Sequence, residues 1–142
     1  SQYISALMLI SPQLQNGLIL KFKGEVTSIP YINMTAKMLA EFSVNANWDD
    51  NNRSILIEKC TYKKPSIDYT YEVEGDWSSA SYWYGFAALS NDVDFKIKGL
   101  KKQSLQGDAV IASIFESSIG INTDYSQGII GLGKGGALAG RF

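Results

Sequence analysis

Segment 77–86 concentrates the side chains best suited to recognition: Trp77, Tyr82, Trp83, Tyr84 and Phe86 stand among Ser78, Ser79, Ser81 and Gly85, with Asp76 just before them. An amphipathic ring beside hydroxyl and carboxylate groups stacks on a sugar face or settles among lipid headgroups. The segment is therefore expected to bind carbohydrate or lipid headgroup through Asp76, Trp77, Tyr82, Trp83 and Tyr84. On a strand, Trp83 would point opposite to Tyr82 and Tyr84. The competing reading buries both faces between two sheets, as aromatic residues of β cores usually are.

Carboxylates form a second set. Asp68, Glu72 and Glu74 alternate along one stretch, Asp76 follows, and Asp49 and Asp50 sit at a turn. Paired carboxylates hydrolyse glycosides when their surroundings split their pKa values, and oxygen-rich loops hold calcium. No EF-hand spacing is present, and alternate carboxylates are above all the mark of a solvated strand face. The chain has no His and one Cys, Cys60, which removes the groups most used for proton transfer near neutral pH, zinc binding and nucleophilic triads. The expectation is a protein that is not an enzyme, with no catalytic residue, no cofactor and no metal.

Glycine is the third. Of 13 glycines, six lie between Gly128 and Gly140. Gly128 to Gly135 nearly spells a phosphate-binding loop and Gly131 to Gly136 fits dinucleotide spacing, but each motif needs a helix opening inside the glycines and a strand beyond. A Gly-rich segment that is ordered needs a surface to offset its conformational entropy. Ile129, Ile130, Leu132, Leu138 and Phe142 are the expected anchors, in the same chain or in a neighbouring copy of a homo-oligomer.

The charge balance is even, 13 Lys+Arg against 14 Asp+Glu for a net charge of -1. Such a balance gives no basic field for a phosphate backbone, so nucleic acid is excluded as a partner. The densest basic run, Lys96, Lys98, Lys101 and Lys102, is bracketed by Asp92, Asp94 and Asp108. No apolar run reaches the roughly 18 to 20 residues of a transmembrane helix. Cys60 alone forms no internal disulfide. The expected protein is soluble, cytoplasmic or secreted without disulfides.

The elements that would position these groups read as strands. Even positions from Met34 to Trp48 are apolar and odd ones mostly polar, a long period-two pattern for which a helix is the rival. Asp49 to Asn52 favour a turn, and Ser54 to Tyr62 read as the returning strand of a hairpin spanning residues 34–62. Ile67 to Val73 and Val93 to Lys98 alternate as well. Tyr3 to Ile10 and Leu18 to Thr27 read as further strands, and Ala109 to Phe115 as a doubly buried strand or a short helix. No internal repeat of fixed period is apparent.

The length of 142 residues suits one domain, residues 1–125 as core and 126–142 as a Gly-rich tail. The expected fold is all-β, an antiparallel β-sandwich or flattened barrel of about seven to nine strands. The leading function is a lectin-like or lipid-binding recognition module. The alternative is a self-assembling or pore-forming subunit built through the 34–62 hairpin and the tail.

Overall fold

The computed structural model describes residues 2–26, 29–51, 53–93, 95–126 and 129–134. The chain divides into two compact units, Ser1–Tyr71 and Glu72–Phe142. The first carries α1 (Gln2–Ile10), β1 (Leu18–Lys21), α2 (Ile29–Glu41), β2 (Ala46–Asp49) and β3 (Ser54–Ile57). The second carries α3 (Trp77–Leu89), β4 (Phe95–Lys98), α4 (Ile111–Ile119), β5 (Ile121–Ser126) and β6 (Ile129–Lys134). The all-β reading is thereby overturned: the described residues form four helices of the α type and two small antiparallel sheets.

In the first unit, α1 holds Ala, Leu, Met and Ile, whose helix preference outweighs the strand reading of the same apolar run. It stops at Pro12, and Ser11 Oγ donates to the Leu7 carbonyl at 2.6 Å. The turn before β1 needs Gly17, whose φ is +66° and where a Cβ would meet the Ile57 carbonyl oxygen at 2.3 Å. β3 lies between β1 and β2. Leu18 and Leu20 pair with Ile57 and Ile55, which pair in turn with Ala46 and Trp48. That face packs on Met8, Ile32 and Leu39.

The period-two run 34–48 is where helix and strand compete most directly. Residues up to Glu41 belong to α2, whose buried positions are Ile32, Thr35 and Leu39. These recur at helical spacing, whereas Met38, an expected inward residue of the strand, is 36% exposed. Ser43 takes a positive φ of 62° as the chain leaves the helix. Only Ala46–Asp49 is strand, so the hairpin is β2 and β3 alone and is far shorter than 34–62. Residues 67–73 form no strand either: Ile67 is 87% and Val73 80% exposed, and their alternation belongs to a solvated connection.

In the second unit β6 lies between β4 and β5. Ile97 pairs with Ile130 and Phe95 with Leu132, and this face buries against Trp77, Ala80, Tyr84 and Ala87 of α3. α3 replaces the strand expected at 77–86, its buried residues spaced three and four apart as a helix requires. Ala109 to Phe115 passes through a short 3-10 turn, Gly107–Val110, into α4. α4 ends at Gly120, left-handed at φ 76°.

The two units share the order helix, strand, helix, strand, strand, and in each sheet the last strand lies between the other two. Lys21-Phe22-Lys23-Gly24 recurs as Lys96-Ile97-Lys98-Gly99, and both glycines have positive φ, 73° and 84°. The internal repeat absent from the sequence reading is thus a repeat of topology, with few residues in common. Among the described residues no helix is long and apolar enough to cross a membrane.

Candidate functional site

The residues singled out as a binding segment are distributed around α3. Asp76 caps the helix, accepting from Ser78 N at 2.9 Å and from Ser79 Oγ at 2.6 Å. The Ser79 hydroxyl and then the Ser78 amide hold its carboxyl below the usual carboxylate range. Trp77 and Tyr84 are fully buried. Tyr84 meets Thr123 Oγ1 at 3.0 Å, and burial pushes its phenol up to about 12. Tyr82 is exposed, and Trp83 packs against Phe86 and Phe95. Helical geometry therefore splits the five: two serve the core, one caps the helix, and Tyr82 and Trp83 face outward.

The loops around the start of α3 form a dense network. Glu74 Oε1 accepts from Trp77 Nε1 and from the Lys101 amide, both at 2.9 Å, and Glu74 Oε2 accepts from Ser104 Oγ at 2.9 Å. Gln106 Oε1 accepts from Trp77 N at 2.9 Å, while Gln106 Nε2 donates to the Gly75 carbonyl at 2.7 Å. Asp108 accepts from the Ser78 hydroxyl. The first amides of α3 are thus already taken by side chains of this chain. Of the acidic set, Glu74 and Asp76 come together here, whereas Asp68 and Glu72 lie on the exposed connection. Among the described residues no group of three or more His, Cys, Asp or Glu could hold a metal ion.

The starts of α1 and α2 lie together in the first unit. Like α3, neither helix has an acidic residue in its first turn. Ser5, in the first turn of α1, meets Thr35 Oγ1 at 2.8 Å, and Thr35 Oγ1 donates to the Tyr31 carbonyl in the first turn of α2 at 2.9 Å. Gln2 and Tyr3 are exposed, as are Ile29, Pro30 and Tyr31. The positive end of a helix dipole favours an anion. In the second unit carboxylates of Asp76 and Asp108 fill the corresponding end. The apolar run 3–10 and the alternation of 34–48 mask these starts in the sequence. Pro30 before an apolar run was the available signal for a helix start.

The anchors expected in the tail are ordinary parts of the second unit where they are described. Ile130 and Leu132 are buried in its own core. The Ile129 backbone pairs with Lys98 and Ser126. Leu138 and Phe142 lie outside the described residues. Gly131 and Gly133 belong to β6 and open no helix, which removes the nucleotide motifs.

Comparison with known proteins gives one consistent result. The family model described as EPSP synthase (3-phosphoshikimate 1-carboxyvinyltransferase) matches residues 1–129. The 3-phosphoshikimate 1-carboxyvinyltransferase of Bacteroides fragilis is 42% identical over 142 residues, which is 100% of this chain and 33% of that protein. That of Idiomarina loihiensis is 35% identical over 140 residues, 99% of this chain and 32% of that protein. That of Methanosphaera stadtmanae is 36% identical over 120 residues, 82% of this chain and 27% of that protein. The chain spans about a third of the length of the first two.

Proposed function

The chain belongs to the EPSP synthase family, and from that premise we propose that it forms part of an enzyme transferring a carboxyvinyl group to a 3-phosphoshikimate-type acceptor. The same membership corrects the expectations of a non-enzymatic recognition module, of carbohydrate or lipid headgroup partners, and of a self-assembling or pore-forming subunit. These rested on an aromatic strand and a long hairpin. Neither exists, because the aromatic residues lie on α3 and the alternating run is mostly α2.

Within that reaction this chain binds the acceptor's phosphate at the starts of α1 and α2. The observation that carries this reading is the hydrogen bonding of Ser5 with Thr35 and of Thr35 with the Tyr31 carbonyl, which joins the first turn of α1 to the first turn of α2. The start of α3 is closed by Asp76, Gln106 and Asp108 from outside the helix, and none of the three first turns holds an acid of its own. A phosphate remote from the reacting hydroxyl is not consumed by carboxyvinyl transfer. Its binding energy instead orients the acceptor and offsets the entropy of bringing it to the donor.

Titration of the protein with 3-phosphoshikimate, followed by backbone amide shifts, tests the reading. Shifts at residues 2–5 and 29–32 that are absent with unphosphorylated shikimate support it. Phosphate-dependent shifts confined to the start of α3 would contradict it.

A further inference from the structure

Between β3 and α3 the chain runs through residues 58–76 without helix or strand, yet part of this connection is bound back onto the end of α2. The Lys63 amide donates to the Phe42 carbonyl at 2.9 Å, just past the last residue of the helix. Farther along, the Tyr69 hydroxyl donates to Glu41 Oε2 at 3.0 Å. The Tyr69 ring stands edge-on to Phe42, with centroids 6.2 Å apart, and Tyr71 leans on Tyr69 at 6.4 Å. Between the two attachment points the chain closes on itself. Lys64 Nζ donates to the Ile67 carbonyl at 2.5 Å, the Tyr69 amide donates to the Ser66 carbonyl at 3.3 Å, and Pro65 has its φ fixed by its own ring. All of these residues belong to the first unit. Ordering such a segment costs conformational entropy, and residues 64–68 are all exposed and bury nothing that offsets it. The ring pair and the phenol–carboxylate hydrogen bond at Tyr69 supply the compensation.

We propose that residues 63–71 form a strap latched onto the end of α2 by Tyr69, which opens and closes as one piece while the sheet of its unit stays formed. An exposed segment held by few contacts opens at lower cost than a buried strand, and the contacts here are few and concentrated on one side chain. While the strap is latched, the chain leaves the first unit from a fixed point at Tyr71. Once released, it leaves from Tyr62, whose hydroxyl is tied to the Leu9 carbonyl. Tyr69 therefore sets how much free chain follows the first unit.

Hydrogen exchange of backbone amides tests the proposal, with Lys63 reporting the strap and the amides of β3, which lies between two strands, reporting the sheet. In the parent protein Lys63 is expected to be protected, but to exchange faster than β3. Tyr69→Phe keeps the ring and loses the hydroxyl, and should speed exchange at Lys63 about threefold to tenfold. Tyr69→Ala loses the ring pair as well, and should speed it about thirtyfold or more. Glu41→Gln leaves a carbonyl oxygen to accept from Tyr69 and should stay within about twofold of the parent. Exchange in β3 should change less than about twofold in all three variants. A Tyr69→Ala variant exchanging at Lys63 at the parent's rate would overturn the latch. Equal acceleration at Lys63 and in β3 would overturn a strap that opens by itself.

Discussion

The indole Nε1–H of Trp77 donates to Glu74 Oε1 at 2.9 Å, and the same carboxylate holds the Lys101 amide and the Ser104 hydroxyl. Trp77 is fully buried, so its indole proton has no water to turn to. Glu74→Ala leaves three donors short of an acceptor and should cost about 2 to 4 kcal/mol. Glu74→Gln retains one amide oxygen at the same place and should cost about 1 kcal/mol. Urea unfolding followed by tryptophan fluorescence separates the two. Equal losses would mean that charge, and not hydrogen-bond geometry, is what Glu74 contributes.

Tyr84 sets an alkaline limit on the stability of the second unit. Burial raises its phenol to about 12, against a usual value near 10. Between those values the unfolded chain loses the proton and the folded one keeps it, so stability is full below about pH 10 and falls as pH rises toward 12. Tyr84→Phe removes this titration at the modest cost of the Thr123 hydrogen bond. The variant should show a smaller drop in unfolding free energy from pH 9 to pH 11 than the parent. Parallel pH profiles would refute the assignment to Tyr84.

Gly17 and Gly24 both have positive φ, 66° and 73°, but only Gly17 has neighbours where a Cβ would stand. Gly24→Ala should cost the backbone term alone, about 1 to 2 kcal/mol. Gly17→Ala adds a clash with the Ile57 carbonyl and the backbone at Glu58 and Lys59, and should fall at or above about 4 kcal/mol. Thermal unfolding of both variants checks the order. Equal losses would show that the turn before β1 relaxes without effort.

Some of this architecture was legible in the sequence. The strand at Phe95–Lys98 stands inside the stretch where alternation places one, and the strand expected over Leu18 to Thr27 is present only as Leu18–Lys21. The helices were not, for two physical reasons. α1 and α3 carry apolar residues around most of their circumference, so neither a 3.6 nor a 2.0 period emerges; Tyr3 is 77% and Leu89 87% exposed although both are large and apolar. In α2 small residues at Ala36 and Ala40 completed a period-two pattern unrelated to burial. Ser5 with Thr35 in the first unit and Glu74 with Ser104 in the second join residues about thirty apart, and no local motif announces them.

Gln2→Glu tests the proposed binding of the acceptor's phosphate at the starts of α1 and α2. Gln2 is the first described residue of α1 and is exposed. Glu keeps its size and favours a helix start through the dipole, so folding is not at risk. The added charge opposes a bound phosphate by about 1.4 kcal/mol or more at contact range. KM for 3-phosphoshikimate should rise about tenfold with kcat within twofold, while Gln103→Glu, an exposed loop position, leaves both unchanged. A Gln2→Glu variant with the parent's KM would contradict the account.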